Sequence, residues 1–257
     1  MLRLLSVAGS DSGGGAGIQA DLKVFAALGV HGMTAVTALT AQHTLGVVAV
    51  HVVPPGFVCA QLRAVVSDIG VDALKLGMLA TAQTVERVAD ELAELDCPIV
   101  VDPVMVATSG ASLLSEDAVG ALRQRLLPLA TVSTPNLAEA RVLVGDTALT
   151  AEAAARAVHA LGVRAVVVTG GDGDGVDWFC DRSGTRPIPG PVHLSGATHG
   201  SGCAHSAALA VYLAQGHPPF DAAVAARALA ARAVQFGLSD LGGGAGPVNV
   251  AVVAVGR

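Results

Sequence analysis

The stretch Leu2-Arg-Leu-Leu-Ser-Val-Ala8-Gly-Ser-Asp-Ser-Gly-Gly-Gly15-Ala-Gly-Ile-Gln-Ala-Asp-Leu-Lys-Val-Phe-Ala-Ala-Leu28 decides how the rest of the chain is read. Residues 2–8 are short and apolar, as a buried strand is, and 9–15 read as a turn. Residues 16–28 then set Ile18, Leu22, Phe25 and Leu28 on one helical face. Strand, loop and helix in that order make half of a parallel crossover unit. Outward from it the alternation recurs. Strands are expected at 33–39, 47–53, 73–76, 98–101, 131–133 and 165–168. Helices are expected after Pro54-Pro55 and at 81–95, 116–126, 137–144, 151–161, 204–214 and 220–236. Gly/Asp-rich turns around short strands such as 176–180 suggest an antiparallel edge. The expectation is an α/β fold, with a mostly parallel central sheet covered by helices on both faces and ligands above the carboxyl ends of the strands. With no internal repeat and no Pro/Ser linker, residues 1–257 read as a single domain.

Composition narrows the function. The 257 residues are 52% hydrophobic and 14% charged, enough to bury one large core. Net charge is −6, and Lys23 and Lys75 are the only lysines. Without a basic stripe or interleaved aromatics, nucleic-acid binding is not expected, and an anionic ligand must be held by backbone amides, arginines or a metal. Cys59, Cys97, Cys180 and Cys203 are widely spaced with no C-x-x-C pair, which fits a reducing compartment rather than zinc or disulfides. The N-terminal apolar run is too short for a signal peptide, and no apolar run approaches the ~18 residues of a membrane span, so a cytoplasmic protein without a membrane partner is expected.

A second glycine-rich run, Ser195-Gly-Ala-Thr-His-Gly-Ser-Gly-Cys203-Ala-His-Ser-Ala-Ala-Leu-Ala-Val-Tyr212, feeds a turn directly into an alanine-rich helix. Gly200, Ser201, Gly202 and Cys203 would then present unpaired amides at the positive end of the helix dipole, a pocket suited to phosphate. Cys203 at its rim would have its thiol pKa lowered by that dipole and could orient or deprotonate a hydroxyl. The alternative is a buried cysteine in an ordinary glycine-initiated helix. The first glycine run passes neither familiar test. A Walker loop needs Lys-Ser/Thr after its second glycine, and Gly14 is followed by Gly15-Ala16. A dinucleotide fingerprint needs an acidic residue about 20 positions on, and none occurs between 22 and 67.

At the end of the second strand stands Gln42, whose carboxamide can donate and accept in one plane and so suits the edge of a flat heteroaromatic ring; a plain loop glutamine is the alternative. Asp11 and Asp21 read equally as helix-dipole or capping carboxylates. Asp102 ends a strand, while Asn136 and Glu139, spaced i, i+3 after Thr134-Pro135, either hold magnesium through water or form a capping box.

With these residues in hand, the chain resembles the bacterial hydroxymethylpyrimidine and phosphomethylpyrimidine kinases of thiamine synthesis, members of the ribokinase-like superfamily. The resemblance is carried by six runs in order: residues 8–23, Thr40-Ala-Gln-His-Thr44, Lys75-Leu-Gly-Met-Leu79, Val101-Asp-Pro-Val-Met105, Thr134-Pro-Asn-Leu-Ala-Glu139 and Thr198-His-Gly-Ser-Gly-Cys203. It implies a ribokinase-like fold and two transfers from ATP, first onto the 5-hydroxymethyl group of an aminopyrimidine and then onto its monophosphate. Gln42 would hydrogen-bond the ring, with Gly9, Ala16, Asp21 and Met78 forming its pocket. Cys203 would stand where sugar-kinase relatives place an aspartate base, and 200–203 would form the anion hole. Asp102, Asn136 and Glu139 would organise Mg2+ around ATP, and a homodimer is implied.

Thr108 and Thr169 stand where this family commonly has lysines, which would weaken the second phosphorylation, although Thr169 resembles the Thr-x-Gly nucleotide loop of other ribokinase-like enzymes. His43 and Ala204 replace a more usual Asn and Thr. Pyridoxine or pyridoxal kinase, and a pyrimidine-binding regulatory protein without catalysis, are the competing expectations.

Overall fold

The computed structural model describes residues 1–105, 114–170 and 173–254; Thr108 lies outside them. Among the described residues nine strands form one sheet: β1 (Arg3–Asp11), β2 (His31–His43), β3 (Gly46–Val52), β4 (Ala73–Leu76), β5 (Ile99–Val101), β6 (Val132–Ser133), β7 (Ala165–Val168), β8 (Val176–Asp181) and β9 (Gly184–Pro189). Their order is β3-β2-β1-β4-β5-β6-β7-β8-β9. The stretch from β2 to β7 is parallel. The antiparallel edge expected from the Gly/Asp-rich turns is β8–β9. A second one, not foreseen, is made at the opposite end by the β2–β3 hairpin.

Alternation along each strand assigns side chains to two covering layers. Leu5, Val7, Leu74, Leu76, Ile99 and Val101 pack with α2 (Pro55–Asp68), α3 (Ala82–Leu92), α5 (Leu137–Val144) and α6 (Ala151–His159), helices that follow α1 (Gly17–Ala27) and flank α4 (Glu116–Ala121). Leu4, Ala73, Val100, Val132, Ala165 and Val167 face the other way, onto α1, α7 (Ser201–Ala214) and α8 (Pro219–Gln235); α9 (Ala251–Ala254) ends the described chain. Helix α7 is buried almost all round from Ala204 to Val211, which its run of alanines permits by letting it lie close to the sheet.

Two boundaries differ from expectation, and both matter to the site. Residues 9–11 are not turn: β1 runs on through a register shift after Ala8, pairing Ser10 with Leu39 and Asp11 with Thr40. Helix α7 starts at Ser201, three residues before the apolar pattern begins, because its head is fixed by backbone conformation rather than by burial. Among the described residues no helix is long and apolar enough to cross a membrane.

Candidate active site

A cavity of about 450 Å³ opens over the carboxyl ends of β1, β2, β4 and β5 and extends to the end of β7. Parallel strands all deliver their last residues to this side, so the loops read from sequence meet there. Gly9, Ala16, Gln42, Met78, Asp102, Asn136, Glu139, Thr169, Gly200, Ser201, Gly202 and Cys203 all line it. Asp21 does not, and its expected place in the pocket wall is corrected below.

Asp11 builds the first glycine loop. Its Oδ1 accepts from the Gly13 amide (2.8 Å), and its Oδ2 accepts from the Gly15 (3.1 Å) and Ala16 (2.9 Å) amides and lies 2.9 Å from His199 Nε2. Burial pushes this carboxyl up, but the His199 contact and the Gly13 and Ala16 amides outweigh it and hold Asp11 below its ordinary 3.8. The carboxylate is not the N-cap side chain of α1, but by accepting from the Gly15 and Ala16 amides it lies at the positive end of that helix, as the dipole reading expects, and it consumes amides that a phosphate cradle would have offered.

The two glycine runs touch. Gly200 adopts φ 83°, and a Cβ there would overlap the Gly15 carbonyl oxygen, so only glycine fits. This contact sets the head of α7 against the start of α1. No side chain caps α7. The Ser201 amide turns back to the Thr198 carbonyl (3.1 Å), and the Ala204 amide makes the first helical bond to Gly200 (2.8 Å). The anion pocket is therefore narrower than expected by one donor: of the four amides at 200–203, that of Ser201 is taken by Thr198, and those of Gly200, Gly202 and Cys203 remain. On the facing wall Gln42 Oε1 accepts from Thr40 Oγ1 (3.0 Å), and its Nε2 lies 3.4 Å from His199 Nε2.

Beneath the cavity lies a charge cluster assembled by strand alternation. Ser6 between Leu5 and Val7, and Lys75 between Leu74 and Leu76, point toward α1 and α7, as does Asp102 after Val101. Lys75 Nζ donates to both oxygens of Asp21 (3.0 Å each), and Ser6 Oγ donates to Asp21 Oδ2 (2.5 Å). Both charged side chains are fully buried. Burial alone lowers the Lys75 pKa, but Asp21, Cys203 and Asp102 facing it raise it beyond its ordinary value, so the ammonium persists. Asp21 is thus the counter-ion of Lys75 under the floor of the cavity, and Lys75 itself reaches the lining.

The acidic Cys203 thiol expected from the helix dipole is corrected. Burial, with Asp21 and Asp102 nearby, pushes the thiol up to about 12 against the opposing pull of Lys75 and the Gly17 amide, so it carries its proton at neutral pH.

The capping-box reading of Asn136 and Glu139 is realised. Asn136 Oδ1 accepts from the Glu139 amide (2.9 Å), and Glu139 Oε2 accepts from the Asn136 amide (2.9 Å). The two also share the cavity with Asp102, whose Oδ2 accepts from Ser206 Oγ (2.9 Å). Burial first, then the charge of Asp102, pushes Glu139 up to about 8. Among the described residues no group of three or more His, Cys, Asp and Glu is arranged to hold a metal directly. Thr169 is tied to the head of α5, donating its amide to Pro135 (2.9 Å) and accepting from Leu137 (3.2 Å). Of the two remaining departures, His43 accepts from the Leu45 amide in an exposed turn (3.1 Å), and Ala204 is fully buried.

Sequence reasoning missed Lys75, His199, Thr134, His205, Asp177 and Arg227 as cavity residues. One signal was available: a lone lysine inside the apolar strand Ala-Leu-Lys-Leu demands a buried partner.

The fold and this cavity define a ribokinase-like α/β protein, with a helix head and a glycine loop converging on one ligand space. More narrowly, the chain belongs to the phosphomethylpyrimidine kinase family, whose model matches residues 11–249. It is 46% identical over 252 residues to the hydroxymethylpyrimidine/phosphomethylpyrimidine kinase of Synechococcus elongatus, covering 95% of each chain. It is 48% identical over 253 residues to the thiamine biosynthesis bifunctional protein ThiED of Geobacter sulfurreducens, spanning 96% of this chain but only 51% of that longer protein. Among solved structures, the ADP complex of Bacillus subtilis pyridoxal kinase aligns with a TM-score of 0.89 at 38% identity, over 97% of each chain. The phosphomethylpyrimidine kinase of Clostridium difficile aligns with a TM-score of 0.78 at 35% identity, over 89% of this chain and 97% of that one.

Proposed function

We propose that this chain transfers the γ-phosphoryl group of ATP to the hydroxymethyl group of 4-amino-5-hydroxymethyl-2-methylpyrimidine, and then phosphorylates the monophosphate to the diphosphate, in thiamine biosynthesis. One observation carries the reading: the Gln42 carboxamide and the Gly202 and Cys203 amides face the same cavity. A ring held at Gln42, between Gly9, Ala16 and Met78, presents its hydroxymethyl group toward the head of α7. The Gly202 and Cys203 amides receive the charge that builds on the moving phosphoryl group. Phosphoryl transfer is loose and needs little activation of the hydroxyl, so a protonated Cys203 thiol serves to orient it rather than to ionise it beforehand.

Lys75, tied down by Asp21, adds a fixed positive charge to the cavity without its own conformational freedom. Asp102, Asn136, Glu139 and the unpartnered Thr134 hydroxyl suit a hydrated Mg2+ rather than a cage, because most of their oxygens are already engaged and two carboxylates raise each other's charge cost. When bound, that ion would neutralise charge on the ATP phosphates. Thr169 borders the nucleotide's share of the cavity. A cytoplasmic setting and a homodimer belong to the same reading.

A second reading, pyridoxal kinase, is favoured by the TM-score of 0.89 to the Bacillus subtilis enzyme. Incubation with ATP and Mg2+, resolving mono- and diphosphate products from the pyrimidine and, separately, from pyridoxal, decides between them. Pyrimidine diphosphate as the main product supports the first reading. Turnover of pyridoxal alone supports the second, and pyrimidine binding with no ATP consumption leaves a regulatory protein. Gln42→Leu is expected to raise the KM for the pyrimidine by about tenfold, the worth of one hydrogen bond pair, with the KM for ATP unchanged.

A further inference from the structure

At the far end of the cavity from Gln42, an ion pair between a part-buried arginine and a buried aspartate joins three elements. Arg227 of α8 donates from Nη1 to Asp177 Oδ2 of β8 (3.0 Å) and from Nη2 to the Gly175 carbonyl. Asp177 Oδ1 accepts from the Gly170 amide (3.1 Å). The side chains are 16% and 3% exposed. Gly190 leaves room for the guanidinium, since a Cβ there would come within 2.5 Å of Arg227 Nε. The pair therefore holds Gly170, just after β7, and Gly175, just before β8.

Thr169, next to Gly170, has its backbone bonded to Pro135 and Leu137 at the head of α5, where Asn136 and Glu139 sit. A continuous chain of contacts thus runs from Arg227 through Asp177, Gly170 and Thr169 to the carboxylate end of the cavity. Beside it His205, which lines the same cavity, has both ring nitrogens buried without a protein partner, and burial lowers its pKa so that it adds no competing charge. A largely desolvated pair of this kind contributes little net stability compared with apolar residues of the same volume, so its place on a cavity wall calls for a positional reason.

We propose that Arg227 and Asp177 are positioning residues for the nucleotide: they fix the Thr169–Gly170 turn so that the nucleotide, and not the pyrimidine, depends on them. The inference rests on the kinase reading given above. Its test is binding of the non-hydrolysable ATP analogue AMP-PCP by calorimetry, beside the KM values for ATP and for the pyrimidine, in Arg227→Met, Asp177→Asn and Arg227→Lys. Arg227→Met should weaken AMP-PCP about tenfold, the effect of losing a hydrogen bond to a charged group, while the pyrimidine KM stays within about twofold. Arg227→Lys should recover most of that loss, which a merely disturbed fold would not. If Arg227→Met does not fold, Asp177→Asn carries the test, since it keeps an acceptor for the Gly170 amide but loses the charge that holds Arg227. Unchanged AMP-PCP affinity in a folded variant, or equal losses for both substrates, overturns the positioning role. Wild-type protein that binds no AMP-PCP overturns the kinase reading along with it, and the two failures are told apart by that control.

Discussion

Replacing Lys75 with methionine removes one charge from a site that water does not reach. The chain length is nearly preserved, but Asp21 and Asp102 are left facing each other's field with only hydroxyl partners, Ser6 and Ser206. Both members of the Lys75–Asp21 pair are fully buried. Breaking a buried pair from one side typically costs about 3–5 kcal/mol, because the surviving ion keeps its desolvation penalty without its compensation. For a chain of this size, each kcal/mol moves the melting temperature by about 2–4 °C, so Lys75→Met should melt roughly 6–20 °C lower.

Lys75→Met/Asp21→Asn should regain most of that loss, because the pair then disappears from both sides, but not the turnover, since the cavity has still lost its cation. The pH dependence has a definite sign. Burial pushes the Asp21 carboxyl up even in the intact pair. Without Lys75 its folded value rises further above the unfolded one, so the folded state holds a proton that the unfolded state has released. The defect is therefore smallest in acid and grows as pH rises through that interval. Thermal melts followed by far-UV circular dichroism between pH 4 and 8 measure both effects. A single variant that melts with the wild type, or a double variant no better than the single, would refute the reasoning.

Asp11→Asn tests the loop built around the opposite kind of shift. The Asp11 pKa is lowered, so its stabilisation is present above the unfolded value of 3.8 and is lost as pH falls through the folded one. The variant should lose about 1.5–3 kcal/mol in urea unfolding at pH 7, with the gap from wild type closing in acid. Cys203 should be alkylated by iodoacetamide at pH 7.5 at least about tenfold more slowly than a free thiol, as peptide mass spectrometry would show; rapid modification would restore the acidic thiol. Cys203→Ala should cut turnover while sparing pyrimidine binding, and unchanged turnover would remove the thiol from the reaction. Gly200→Ala adds about 1–3 kcal/mol of left-handed strain and pushes on the Gly15 carbonyl, so it should lose activity; full activity would show that the two glycine loops need not touch.

The sequence alone determined whatever depends on neighbours along the chain. Periodicity located β4, α5 and β7 to the residue, since burial repeats with the pitch of the element. The i, i+3 spacing of Asn136 and Glu139 was legible as a capping box because both partners sit on one helical turn. The glycine-headed helix at 200–203 was legible for the same local reason.

Only the tertiary structure decided what joins residues far apart. Asp11 and His199 are separated by 188 positions and Lys75 and Asp21 by 54, and no pattern in either segment names the other. Burial and those partners set the charge states: burial, with Asp21 and Asp102 nearby, holds the Cys203 proton on its thiol against the pull of Lys75, where the helix dipole alone argued for releasing it, and pairing with Lys75 keeps Asp21 under the cavity instead of in its wall. Local propensity falls off within a turn or two of chain, whereas desolvation and Coulomb interaction depend on distance in space, and that distance exists only after folding.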